Sequence, residues 1–219
     1  MGTPQGPYHV RVDTHFKDEI KQSGIAVICA HPDDAELGAG GLLALKGGII
    51  ISLTDGSNHT RDSEAARFEA GEASVILGVE HYLREHTPEM PLVTRDLVGW
   101  IDLILDKNKI DTVVTHHPQD GNQEHVLASQ AAIAAARRLD NLIFMEPIPC
   151  SGRIYFKPQL YIDITDVTDK KYKAVGQYRS QIISKGRSLV DTRLKLDAWR
   201  GCELGVEYAE AFEVRRWKL

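Results

Sequence analysis

Short apolar runs alternate with longer stretches of helical periodicity along most of the chain. Ile25–Ala30 reads as a buried strand, Ala35–Gly47 as a helix and Gly48–Gly56 as a second strand. Asp62–Gly78 carries apolar residues at helical spacing and stops at a glycine, and a short strand near His81–Leu83 follows. Thr94–Asn108 predicts a helix with Thr94 as its N-cap. Asp111–His117 predicts a strand, Asn122–Leu139 a helix and Asn141–Met145 another strand. After Pro149 the texture changes: Arg153–Asp166 predicts extended segments, and two charged helices are expected from about Thr168 to Gly205. At the other end, "MGTPQGP" reads as a flexible start, and His15–Gly24 as a short first helix.

Strands alternating with helices predict an α/β fold, an open and mostly parallel sheet with helices on both faces. This Rossmann-like arrangement is expected as a single domain over 24–219, with a C-terminal extension, preceded by an N-terminal segment over 1–23. In such sheets ligands sit beyond the carboxyl ends of the strands. Two polar clusters fall there. "HPDD" (His31 to Asp34) follows the first strand, and "HHPQDGNQEH" (His116 to His125) follows the one that begins at Asp111. Both clusters therefore share one rim of the sheet.

Composition narrows the function classes. The chain has 219 residues, enough for one ordinary domain, with 42% hydrophobic and 26% charged residues. A net charge of -5 carries no electrostatic footprint for nucleic acid. Apolar stretches fall far short of the ~20 residues of a membrane helix, so no membrane insertion is expected. Nor does the start show a basic stretch followed by an apolar one. Cys29, Cys150 and Cys202 are widely spaced with no CxxC pair, which predicts a reducing, cytoplasmic setting rather than a disulfide framework.

The acidic knot needs an explanation. Asp33 and Asp34 at a helix start would be favoured by the helix dipole, by ~0.3–1 kcal/mol each, and such residues are ordinary in first turns. A metal site explains more. His31 and Asp34 lie three apart across a strand-to-helix turn, so their side chains can converge, while Asp33 diverges from Asp34 and can face a water at the same ion. A catalytic zinc takes three His, Asp or Glu ligands and keeps one position open. The third would come from His116, His117, Asp120, Asn122, Glu124 or His125. "GAGGLL" (Gly38 to Leu43) imitates half of a dinucleotide fingerprint, but a pyrophosphate needs a helix start free of negative charge. This one carries Asp33, Asp34 and Glu36. The glycines fit close packing of the helix on the sheet instead.

"AHPDDAELGAGG" resembles the signature of the PIG-L/LmbE-like zinc-dependent deacetylases, which remove acetyl from N-acetylglucosamine groups. "HHPQDGNQEH" is similar to that family's second metal motif. Tyr161–Gln181 and Arg200–Phe212 resemble the C-terminal part of bacterial members from sugar or natural-product pathways. The resemblance implies zinc ligands His31, Asp34 and His125, with Asp33 as general base. It also implies an amino-sugar substrate and a substrate-contacting arginine, Arg67 or Arg61. Many members have a histidine where this chain has Asn122, and an orienting aspartate where it has Glu124. The donor to the amide oxygen is thus left among Asn122, His116 and His117.

The expected function is a metal-dependent hydrolase that removes acetyl from an N-acetyl amino sugar or its conjugate, the partner being that small molecule. The alternatives are an amidase acting on another sugar-conjugate amide, or a non-catalytic sugar-binding relative. Tyr208 and Glu210 read as a packed aromatic beside a surface carboxylate, and a homo-oligomer is compatible with the sequence.

Overall fold

A computed structural model describes residues 24–57, 62–84, 86–148, 156–185 and 188–218. The expected N-terminal segment, its helix, Cys150 and Arg61 lie outside the described residues. The elements run β1 (Ile25–Cys29), α1 (Asp34–Lys46), β2 (Ile49–Ser52), α2 (Ser63–Leu77), β3 (Glu80–Leu83), α3 (Arg95–Lys107), β4 (Thr112–Thr115), α4 (Gln123–Ala135) and β5 (Asn141–Met145). Then come β6 (Leu160–Asp163), α5 (Thr168–Val175), α6 (Arg179–Lys185), α7 (Ser188–Leu204) and β7 (Ala209–Arg216).

The strands form one sheet in the order β3-β2-β1-β4-β5-β7-β6. The first five are parallel, whereas β7 runs antiparallel to both β5 and β6. The architecture is the predicted mostly parallel α/β sheet. β1 sits between β2 and β4, so successive connections leave it in opposite directions. That reversal opens a crevice beyond the carboxyl ends of β1 and β4, where open α/β sheets bind ligands.

The apolar runs explain why β1 and β4 are central. Ala26 to Cys29 and Val113 to Val114 are fully buried, as strands covered on both faces must be. One apolar layer joins Ile28, Leu97, Ile101 and Ala131 on the α3 and α4 side. The other joins Val27, Leu43, Ala73, Ala174 and Phe212 on the α1, α2 and α5 side. Caps end the helices where the sequence signals them: the Asp62 side chain accepts from Ala65 N, the Thr94 hydroxyl accepts from Leu97 N, and Gly78 closes α2 at φ 75°.

The C-terminal third departs from expectation in two ways. Where two helices are expected, the described residues carry α5, α6 and α7. The Ala209–Arg216 strand inserts between β5 and β6. Glu210 on that strand is fully buried, not on the surface. Its carboxylate accepts from the backbone N–H groups of Gly41 and Leu42, at 2.7 and 2.8 Å. Those donors are free because α1 is kinked at Ala39 (φ -146°), which starts a second helical segment in mid-element. Lys171 balances Glu210 at 2.9 Å and Asp197 at 2.5 Å, and Arg193 pairs with Asp197 at 2.9 Å. A charge-paired network thus fixes α5, α7 and β7 to the kink of α1.

Candidate metal centre

Three elements deliver the polar groups to the crevice. His31 lies in the turn after β1, Asp34 opens α1, and His116 and His117 leave β4. The following loop carries Asp120, and α4 begins with Asn122 as its cap and brings in Glu124 and His125. His31, Asp34 and His125 each offer one donor atom, and these atoms lie within 4.8 Å of one another.

The orientation of each imidazole is set by a carboxylate behind it. His31 Nε2 faces Glu124 Oε2 at 2.7 Å, leaving Nδ1 on the side of Asp34, 3.3 Å from its Oδ2. His125 uses the opposite nitrogens: Nδ1 faces Asp120 Oδ2 at 3.1 Å, and Nε2 faces Asp34 Oδ1 at 3.4 Å. A carboxylate that accepts one ring N–H leaves the other nitrogen as a lone-pair donor, the arrangement of metal-ligating histidines. Asp34 is itself held by the His31 backbone N–H at 2.8 Å.

The electrostatics show what the cluster lacks. Burial opposes charge on His31, but the hydrogen bond and charge of Asp34, with Glu124, push its pKa up to about 9. Burial likewise opposes charge on His125, yet Asp34 and Asp120 push it up to about 10. Asp34 is held well below the usual carboxylate range, against its own burial, by His125 and His116. The hydrogen bond from His31 brings Glu124 down to about 2. The pocket is built around positive charge. Two imidazoles and a carboxylate, each braced from behind, are a donor set that could hold a divalent ion.

Asp33 stands apart from this set. Its backbone has φ 122°, a region that residues with a side chain rarely occupy. Such strain, of order 1–3 kcal/mol, persists where the surroundings over-determine it and gathers at functional sites. Asp33 is 7% exposed and caps nothing with its side chain.

The three expected donors to an amide oxygen differ in freedom. His117 has both ring nitrogens engaged: Nδ1 accepts from Gln119 N at 3.2 Å, and Nε2 faces Glu213 at 3.4 Å. His116 accepts the Ala30 N–H at Nε2 (3.1 Å) and stacks on His125 with ring centroids 4.0 Å apart. Burial, then the neighbouring His125, lowers its pKa, while Asp34, with Oδ2 3.3 Å from Nε2, acts the other way. Asn122 accepts from Glu124 N through Oδ1 at 2.9 Å as the cap of α4, which leaves its NH₂ group.

An open cleft of about 360 Å³, solvent at its mouth included, joins Asp34, His116, His117, Asp120 and His125 to Glu146 and Arg193. Arg193 and Glu146 carried no sequence signal, being remote in the chain. Asp120 was signalled only as one of several acids in the second motif. Arg67 lies on the exposed face of α2 and does not border this cavity.

Residues 26–136 match the family model PIG-L, described as GlcNAc-PI de-N-acetylase. The chain belongs to the PIG-L family. Among curated relatives it is 30% identical to the diacetylchitobiose deacetylase of Thermococcus kodakarensis, over 91% of this chain and 85% of that protein. It is also 30% identical to the uncharacterized deacetylase YaiS of Escherichia coli, over 67% of this chain and 84% of that one. Among solved structures, the N,N'-diacetylchitobiose deacetylase of Pyrococcus horikoshii superposes with a TM-score of 0.75 at 22% identity, covering 94% of this chain and 88% of that one. That likeness confirms the fold. No helix among the described residues is long and apolar enough to cross a membrane.

Proposed function

We propose that this PIG-L family member is a zinc-dependent N-deacetylase that hydrolyses the acetyl amide of an N-acetyl amino sugar. The observation that carries the reading is the strained, buried Asp33 next to three convergent donors, His31, Asp34 and His125, on a chain whose curated relatives are named deacetylases. The first of those relatives acts, by its name, on diacetylchitobiose, which supports an N-acetylglucosamine-type substrate here.

His31 Nδ1, Asp34 and His125 Nε2 would hold the ion, with Glu124 and Asp120 fixing the two rings. When bound, a divalent ion polarises the amide carbonyl and lowers the pKa of a water toward ~7. Asp33 takes the proton of the attacking water as the C–O bond forms. The negative charge that develops on the carbonyl oxygen would be met by the NH₂ of Asn122 or by His116, of which His116 borders the cavity and Asn122 does not. Asp33 then gives its proton to the nitrogen as the C–N bond breaks, releasing acetate and the free amine. Arg67 and Arg61 are the candidates for contacts to the more distant part of the sugar.

The test is acetate release from N-acetylglucosamine and N,N'-diacetylchitobiose. We expect turnover that chelation abolishes and zinc restores, and an Asp33→Asn protein that keeps its metal but loses ~10²–10⁴-fold in kcat. Release of a different acid from a sugar conjugate would point to the amidase alternative. Binding of sugar without any release would point to a non-catalytic relative.

A further inference from the structure

The helix α3 buries one face in the core through Leu97, Ile101, Ile104 and Leu105 and turns the other outward. At roughly 100° per residue, Gly99 and Leu103 run along the middle of that outer face. Arg95 and Asp106 line one flank and Asp96 and Lys107 the other, all four exposed. Two features are out of place on a helix that meets only water. Leu103 is 71% exposed. Gly99 occupies the helix interior, where only proline is a poorer helix former, and a Cβ built there meets nothing within 4 Å. Unlike the glycines of α1, it makes room for no group of its own chain. Leu92, in the lead-in to the helix, is exposed as well.

We propose that the outer face of α3 is the contact between two copies of this chain, packed antiparallel across a two-fold axis at the level of Ile101. A two-fold contact must be complementary to itself, each residue meeting a partner that meets it in return. This face meets that condition. Residues 99 and 103 are equidistant from the axis, so Leu103 of each copy comes over Gly99 of the other and fills the space a side chain there would take. On one flank Arg95 faces Asp106 of the second copy; on the other Asp96 faces Lys107. Each pair recurs across the axis. A parallel arrangement would instead set Leu103 against Leu103 and Gly99 against Gly99, a bump beside a gap. Within one chain these charges are lightly used. Lys107 lies over the Tyr82 ring at 5.6 Å, and Asp106 acts on Arg137, which Asp102 already holds at 2.8 Å. The inference is independent of which amide the cleft hydrolyses.

The experiment is sedimentation velocity of the full chain between about 0.5 and 500 μM. One helix against its copy is at the low end of interface size, so dissociation constants of roughly 1–100 μM are expected. Arg95→Glu alone, or Asp106→Arg alone, sets like charges together twice across the axis and should weaken association by roughly tenfold or more. The double variant Arg95→Glu with Asp106→Arg should restore it. Residues 95 and 106 of one chain are about 16 Å apart along the helix, so rescue reads pairing between copies. Both changes also suit the helix itself, with an acid in its first turn and a base in its last, so weaker association would not reflect a damaged α3. Gly99→Leu should fill the seat of Leu103 and weaken association by roughly tenfold or more while the thermal melt of the monomer stays at least as high as wild type. A chain that is monomeric over the whole range would overturn the proposal. So would an assembly in which none of these variants moves a dissociation step, since its contact would lie elsewhere. Single variants that weaken association without rescue by the double would overturn the antiparallel pairing. A contact mapped by chemical cross-linking between α3 and residues 1–23 of the same chain would overturn it by giving the face to that segment.

Discussion

Asp120 Oδ2 stands 3.1 Å from Nδ1 of His125, and that contact turns Nε2 of the same ring toward Asp34. Glu124 does the same for His31 from the opposite nitrogen. Removing a carboxylate that orients a metal-ligating histidine typically costs about 10–100-fold in metal affinity. Asp120→Asn should therefore weaken zinc binding by about that factor in a chelator competition while its thermal melt stays close to wild type. Unchanged affinity would show that the Asp120 contact does not prepare His125 for an ion.

Asn122 has two separable jobs in this account. Its Oδ1 caps α4, and losing such a cap costs ~1 kcal/mol. Its NH₂ is proposed to meet the carbonyl oxygen, and losing one such donor costs ~10²–10³-fold in kcat. Asn122→Ala should lose both. Asn122→Asp should keep the cap, because aspartate is an equally good N-cap, yet lose turnover. Near-normal kcat in the Asp variant, with metal retained, would leave Asn122 as a cap alone and pass the role to His116.

The glycines of the first motif are packing devices. A Cβ added at Gly41 would lie 2.4 Å from Ile164 Cγ2 and 2.8 Å from Ile164 Cβ, and one at Gly38 would lie 2.4 Å from Met145 Sδ. Helix propensity favours alanine over glycine by ~1 kcal/mol, but overpacking of this kind costs ~1–3 kcal/mol. Gly41→Ala should thus be a net loss, seen as a lower urea midpoint. A gain in stability would mean that α1 does not need its close approach to Ile164.

His81 gives the fold a sensitivity to acid. Its ring is buried, with Nε2 2.7 Å from Ser52 Oγ, and burial lowers its pKa from 6.5 to about 4. A histidine with a depressed folded pKa stabilises the fold fully above 6.5, and that contribution falls as pH drops from 6.5 toward 4, where the unfolded chain binds the proton first. The loss amounts to about 3 kcal/mol over the window. Urea midpoints measured between pH 7 and 4.5 should fall more steeply for wild type than for His81→Gln. Parallel curves would contradict the assignment.

Much of this architecture is readable along the chain, and the unreadable parts have physical causes. The parallel half follows from local pattern, because buried strands and amphipathic helices alternate with clear stops such as Gly78 and Thr94. The rim site follows from strand direction: two motifs that each trail a parallel strand meet at one edge. β7 was hidden because Glu210 sits fully buried within it, capping the kinked α1 against Lys171, and a buried charge looks like a surface residue in sequence. The kink at Ala39 has no Pro to announce it. The division of labour between Asp120 and Glu124 depends on how the loop after His117 folds back on α4, which spacing alone does not set. Arg193 and Glu146 reach the cavity from distant elements and leave no local trace.

The central claim is that one divalent ion, held by His31, Asp34 and His125, is what the active protein requires. Zinc titrated into chelated protein, with acetate release from an N-acetylglucosaminide as the readout, tests it most directly. The account predicts activity that climbs from near zero to a plateau at about one ion per chain. It also predicts that His125→Ala, titrated in parallel, binds little zinc and stays inactive. Full acetate release by the chelated protein, or a His125→Ala protein that takes up zinc and works like wild type, would contradict it.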